Sequence, residues 1–323
     1  MLRRLLALPL LAASAAWSAP GWLLIRTVDG VRVEGQSTLR AVPVDGAPKE
    51  VRIADILSIH SATPASDLEK SRIVDGFAAI QGSDRKACDL AVEELTAIGL
   101  PVLTPLLDIL KDTDQHEPRP LYRLFERIIP SQADGFDRDL SLIRLANGST
   151  LRVKLAVAAA VEIKTASGEA QSIPWSKIRS LAVRQSIVRR AIAVHSIRHC
   201  TQIEYLDTGV ALSASSKVDS SARGFIRMSF NVDGWASDAN GLTKPGAPAY
   251  KTNLVDGHPF GALVGRVGAQ GDVFFLGRQF TKSGLAAGRL GLAINDNRHW
   301  QNNVGSFLVT LTATNAYDLG DAQ

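Results

Sequence analysis

Asp296, Asn302 and Asn303 fall in one short stretch between two apolar runs, Gly288–Ile294 and Val304–Leu311. A carboxylate and two side-chain amides are hard oxygen donors. Ca²⁺ takes about six to eight such oxygens, from carboxylates, amide carbonyls and backbone. The chemistry this trio offers is therefore cation coordination. The competing reading is structural, because Asn and Asp also populate turns for local hydrogen-bonding reasons. Catalytic signatures are lacking: there is no GxSxG, no HExxH and no phosphate-binding glycine loop. His60, His116, His195, His199, His258 and His299 are scattered, and Asp137 and Asp139 read as turn residues before a strand. The carboxylates of a glycosidase need not be neighbours in sequence, but no feature points to such a pair. The sequence favours binding over catalysis.

The elements that must hold the trio are short strands. Phe260–Val267, Phe274–Leu276, Gly288–Ile294 and Val304–Leu311 are rich in Val, Ile, Leu and Phe and are bounded by Gly, Asn or Asp. That is strand-and-turn grammar at sandwich spacing. Glu204–Leu212, Gly224–Phe230 and Gly234-Trp235-Ala236 supply the earlier strands, and residues 237–253 form a polar, irregular loop.

Four segments carry a resemblance: Gly234-Trp235-Ala236-Ser237, Phe260-Gly261-Ala262-Leu263-Val264, Ile294-Asn295-Asp296 and Asn302-Asn303-x-Gly305-Ser306-Phe307. With Leu206-Asp207-Thr208-Gly209-Val210 as a first strand, residues 200–314 resemble the calcium-dependent, galactose-binding PA-IL-type bacterial lectins. The resemblance implies a jelly-roll β-sandwich. It implies Ca²⁺ held by the side chains of Asp296, Asn302 and Asn303, with backbone carbonyls near Asp238 and Trp300 completing the shell and sugar hydroxyls filling open positions. Trp300 and His299 would then pack on the apolar face of a pyranose, with Asp256 and His258 close by. The sequence departs from the family in two respects. The step from Asp296 to Asn302 is one residue short, and bulky Trp300 stands where those lectins have a small Thr.

The rest of the 323-residue chain predicts further modules. Arg3, Arg4, the apolar run Leu5–Ala16 and the small residues Ala16 and Ser18 read as a secretory signal over residues 1–18. A periplasmic or secreted protein is expected, with no transmembrane segment after cleavage. Residues 19–65 and 138–199 read as two copies of one small β-module. In the first, Leu23–Val28 meets an Asp29-Gly30 hairpin turn and the unit closes on Ile56-Leu57-Ser58-Ile59. In the second, Leu142–Ala146 meets Asn147-Gly148 and closes on Ile178-Arg179-Ser180-Leu181.

Between the copies, residues 66–137 read as a helical insert. It opens on a Ser66-x-x-Glu69 capping box, and two helices about Gly99-Leu100-Pro101 look like a single HEAT-type unit. Residues 170–203 hold Lys177, Arg179, Arg184, Arg189, Arg190 and Arg198 and no acidic residue. An anionic partner is one reading, and ordinary solvated strand faces the favoured one; export argues against nucleic acid. Cys88 and Cys200 fall in different units and are read as a pair or as two buried thiols. The expected fold is mainly β with a helical insert, ending in a jelly-roll sandwich over 200–323. The expected function is non-catalytic binding of glycans or envelope polysaccharide with Ca²⁺. The rival is a structural or assembly protein that contacts other proteins.

Overall fold

The computed structural model describes residues 21–45, 49–112, 139–156, 160–201, 204–228, 236–242, 255, 257–296, 301 and 303–320. It also describes the helical residues Leu121, Leu124, Arg127 and Ile128. The leader-like segment, Trp235, Asp256, His299, Trp300 and Asn302 lie outside the described residues. The protein is mainly β, a large curled antiparallel sheet with a few short helices.

The first copy runs β1 (Gly21–Thr27), β2 (Arg32–Ser37), β3 (Ala41–Pro43), β4 (Glu50–Arg52) and β5 (Ile56–His60). Gly30, at φ 83°, closes the β1–β2 turn as the Asp-Gly signal requires. Helices α1 (Asp67–Gln81), α2 (Arg85–Ile98) and α3 (Leu103–Asp112) follow. The second copy runs β6 (Ser141–Leu145), β7 (Thr150–Val153), β8 (Ala160–Thr165), β9 (Ala170–Pro174) and β10 (Ile178–His195). Both copies enter their last strand through a 3₁₀ turn, Ile53–Asp55 in one and Trp175–Lys177 in the other.

Residues 21–60 and 141–195 share one core, because the last strand of each stretch pairs with the first strand of the other. β10 pairs with β1, Leu23 opposite Val183, and β5 pairs with β6, Ile59 opposite Ile143. β5 and β10 then pair with each other, Leu181 opposite Ile59. Leu23, Ile25, Ile59, Ile143, Trp175 and Leu181 fill the common interior.

The helices build their own core around Phe77, Leu95, Leu103 and Leu106. α2 packs chiefly on α1, and the chain turns by 113° at Gly99 before α3, so the HEAT-like pairing expected between α2 and α3 is taken instead by α1 and α2. The Glu69 side chain ties the insert to the N-terminal sheet. Ser66 caps α1 by accepting from Glu69 N, and Glu69 Oε2 accepts from Ser66 N at 2.9 Å. The same Glu69 carboxylate receives Arg179 Nε at 2.8 Å and Nη2 at 2.7 Å. Arg179 spends its other donors on the carbonyls of Thr63 and Pro64. Both residues of the pair are 2% exposed.

Lys177, Arg189 and Arg198 of the basic run are exposed, as solvated strand faces require, but the other three are not. Arg179 is interior, Arg190 binds Asp318, and the Arg184 guanidinium lies 4.2 Å above the Trp22 ring. Much of the charge offered for an anionic partner is already used within the fold.

His60 ends β5 beneath Gly99. Burial, reinforced by the Arg289 and Arg144 charges, pushes its imidazole down to about 4. The unfolded chain takes up this proton near pH 6.5, whereas the folded chain holds out to about 4. Stability should therefore fall as pH drops through that window, by about 3 kcal/mol in all. Urea unfolding at pH 7, 5.5 and 4.5 should show a flatter pH dependence for His60→Gln than for the wild type. Identical slopes would assign the acid sensitivity to other groups.

β10 does not stop at the barrel. From Arg184 opposite Tyr317 to His195 opposite Ser306 it pairs with β17, so by pairing residues 184–195 belong to the C-terminal sheet. That sheet adds β11 (Leu206–Arg227), β12 (Ala236–Ser237), β13 (Leu263–Val267), β14 (Val273–Phe275), β15 (Gln279–Ser283), β16 (Gly288–Ile294) and β17 (Val304–Asp318). β11 pairs along its length with β17, and its other edge passes from β16 to β15 at a bulge over Ser213–Ser216. Asn315 adopts φ 53° opposite that bulge, and its carbonyl accepts from Ser213 Oγ and Ser216 Oγ. The bend lets the sheet fold over its own interior, where Leu212, Leu292, Ile294, Phe307, Val309 and Leu311 are fully buried. Cys88 packs against the helical core, and Cys200 is buried beside Ile294. No single helix among the described residues is long and apolar enough to cross a membrane.

Candidate functional site

β16 delivers Asn295 and Asp296 to the end of the sandwich, and β17 departs from Asn303. Asp296 is 1% exposed and Asn303 0%. Asn303 Nδ2 donates to Asp296 Oδ2 in a close contact and to the Ser196 carbonyl at 3.3 Å. Asn303 Oδ1 is buried and accepts from no described residue. Such an atom forfeits about 1–3 kcal/mol of hydration. The segment after β10 braces the pair from below: Thr201 Oγ1 donates to the Asp296 carbonyl and accepts from Asp296 N, both at 3.2 Å, and Ile294 N donates to the His199 carbonyl.

Asn295 is fully buried and faces the opposite way. Its Oδ1 accepts from Val255 N at 2.9 Å, and its Nδ2 donates to the carbonyls of His258 at 3.0 Å and Pro259 at 3.2 Å. Its backbone carbonyl accepts from Gly261 N. One side chain thus fixes the loop before β13 against the end of β16. Gly261 must be glycine here, since φ is 77° and an added Cβ would come within 3.0 Å of Ser237.

Of the residues singled out from sequence, Asp296 and Asn303 are brought into contact. Asp238 turns elsewhere: its Oδ1 accepts from Asn240 N, its carbonyl accepts from Ser237 Oγ and Gly241 N, and its Oδ2 lies 3.8 Å from Arg278. His258 stacks on Phe275, with ring centroids 6.2 Å apart, and its Nε2 lies 3.4 Å from the Val273 carbonyl. Asp256, His299, Trp300 and Asn302 lie outside the described residues. Sequence reading missed Asn295, Thr201 and Ser196. Asn295 carried one signal, a polar residue inside the apolar end of a strand. Thr201 and Ser196 carried none, because their roles depend on where β10 ends.

The donor set suits a hard cation: a buried carboxylate, and an amide whose oxygen is orphaned beside it. Among the described residues no three His, Cys, Asp or Glu side chains converge.

No family model matches the sequence, and no curated protein matches it. Among solved structures, the N-terminal domain of EclA, described as a PllA-like lectin, is similar to this chain. The identity is 22% and the TM-score 0.30, over 39% of this chain and 96% of that one.

Proposed function

We propose that the protein is a non-catalytic, calcium-dependent carbohydrate-binding protein of the cell envelope, to which its leader-like N-terminus would route it. Asp296 and Asn303 would hold the cation, with Asn302 and the carbonyl near Trp300 contributing from the adjoining turn. The observation that carries the reading is the buried, partnerless Asn303 Oδ1 next to the Asp296 carboxylate. A buried amide oxygen without a partner is costly in a core, and a cation held beside the Asp296 carboxylate would give the Asn303 oxygen one. When bound, Ca²⁺ supplies open positions that vicinal sugar hydroxyls can take. The chain's part is to keep those oxygens fixed, through Thr201 and Ser196 beneath and Asn295 beside them. His299 and Trp300 are the proposed apolar platform for the sugar ring.

The test is thermal unfolding of the full chain in calcium or in chelator. The full chain is needed because a fragment starting at residue 200 would lack the 184–195 strand. At a hundredfold excess over its dissociation constant, Ca²⁺ should stabilise the fold by about 2.7 kcal/mol, or a few degrees. Asp296→Asn should remove most of the shift while keeping the shape of the site, and Asn303→Ala should weaken it. Trp300→Ala should leave the shift in place and lower binding on a glycan array. Equal melting in calcium and chelator would return Asp296 and Asn303 to the role of turn residues and favour the assembly reading.

A further inference from the structure

The N-terminal β-sheet, the helical insert and the sandwich line a partly open cavity of about 140 Å³. Strand register builds its floor. Across β2, β1, β10 and β5, Arg32, Arg26, Ser180 and His60 stand in one row, each opposite the next. Two residues along the strands, Leu24, Ala182 and Ser58 form a second row. Residues two apart share a sheet face, so both rows face the same space. Glu93 and Thr96 of α2 close it from one side, and Arg289 and Leu319 of the sandwich from the other.

Ser58 is 2% exposed, and its Oγ has no hydrogen-bond partner among the described residues. A buried hydroxyl aimed into a cavity and left unpaired is a site awaiting an acceptor or donor. The charges around it do not cancel. Arg289 is engaged by Asp207, and Glu93 accepts from Ala269 N at 2.6 Å. The Arg26 side chain makes no hydrogen bond to any described residue. The carboxylates it senses are Glu94, Glu93 and Glu69, of which Glu94 lies 3.4 Å from Arg72 and Glu69 is held by Arg179. Arg26 is thus a partly buried guanidinium whose donors meet no described acceptor, on the floor of a partly open, mostly apolar space.

We propose that this cavity binds a small organic carboxylate. Arg26 supplies the counter-charge, Ser58 a hydrogen bond, and Leu24, Ala182 and Leu319 the cover for a hydrocarbon body. An apolar cavity of about 150 Å³ in another protein holds benzene, so the volume fits an acid of about benzoate size. Inorganic phosphate is disfavoured, because it has no apolar part for those walls and its second charge would face Glu93. Because all three units line the cavity, occupancy would tie them together.

The probes are sodium benzoate and sodium hexanoate, titrated calorimetrically and by thermal unfolding into the full chain. Sodium phosphate and sodium chloride at matched ionic strength are the controls. Saturable heat and a rising melting temperature are expected for the two carboxylates only. Arg26→Gln should weaken benzoate binding about tenfold or more, as loss of a charged hydrogen bond does. Ser58→Ala removes only an unpaired hydroxyl, so it should fold as the wild type does and bind several-fold more weakly. It keeps the test intact if Arg26→Gln proves unstable. The proposal is overturned by no saturable response in the wild type, by responses unchanged in Ser58→Ala and Arg26→Gln, or by phosphate binding better than benzoate. None of these outcomes bears on calcium at Asp296.

Discussion

An Arg179→Ala protein is expected to be less stable than the wild type by about 3–5 kcal/mol, the usual cost of removing one partner from a buried ion pair. The loss is large because of what remains. Glu69 would keep its charge at 2% exposure with only the Ser66 amide and hydroxyl to face it. The carbonyls of Thr63 and Pro64 would lose their donors as well. Arg179→Lys should recover little, because an ammonium cannot present the planar fork that meets both Glu69 oxygens while reaching two carbonyls. Glu69→Gln should be milder than Glu69→Ala, since the amide oxygen can still accept from Ser66 N. Chemical unfolding of the four variants measures the series. A cost below about 0.5 kcal/mol for Arg179→Ala, the level of an ordinary surface substitution, would mean that the joint between helices and barrel does not depend on this pair.

Asn295→Ala should cost about 2 kcal/mol or more, from two part-buried backbone groups left unpaired at roughly 1–3 kcal/mol each before relaxation. Those groups are Val255 N and the His258 carbonyl; the Pro259 carbonyl keeps Ala262 N as a donor. Asn295→Asp should not rescue the loss, because an ionised carboxylate cannot donate to either carbonyl. If Asn295 positions the Asp296 end of the sandwich, both variants should also blunt any calcium-dependent stabilisation. An Asn295→Ala protein as stable as the wild type would show that the loop is held by its backbone alone.

What the sequence disclosed was local. The Asp29-Gly30 and Asn147-Gly148 turns, the Ser66–Glu69 capping box and the short strands around Asp296 each rest on neighbours within a few residues, where turn and cap chemistry acts. What it concealed was the choice of distant partners. Arg179 looks like any basic residue on an alternating strand, and only the arrival of Glu69 from a helix 110 positions earlier makes it interior. The 184–195 stretch reads as part of the 138–199 β-module with solvated faces, because Arg189 and Arg190 interrupt its apolar pattern. In the structure Val188, Ile192 and Val194 face the core, while Arg189 stays exposed and Arg190 reaches Asp318. Asp296 and Asn303, singled out together as cation ligands, lie in contact. The clamp of Asn295 on residues 255–261 was not foreseen, since nothing local distinguishes a buried amide from a turn amide.

The exchange of last strands between residues 21–60 and 141–195 sets a schedule for the growing chain. The β1–β2 hairpin emerges early, yet the partner for the free edge of β1 is β10, about 150 residues later. At a synthesis rate of roughly 5–20 residues per second, that edge waits on the order of ten seconds. Throughout, it displays the unpaired backbone of Leu23, Leu24 and Ile25, a template for pairing with other nascent chains. A chain ended before β10 would never cover it, and one begun after β5 would leave β6 and β10 equally bare. Neither residues 21–60 nor residues 141–195 can therefore be removed without exposing a sticky strand.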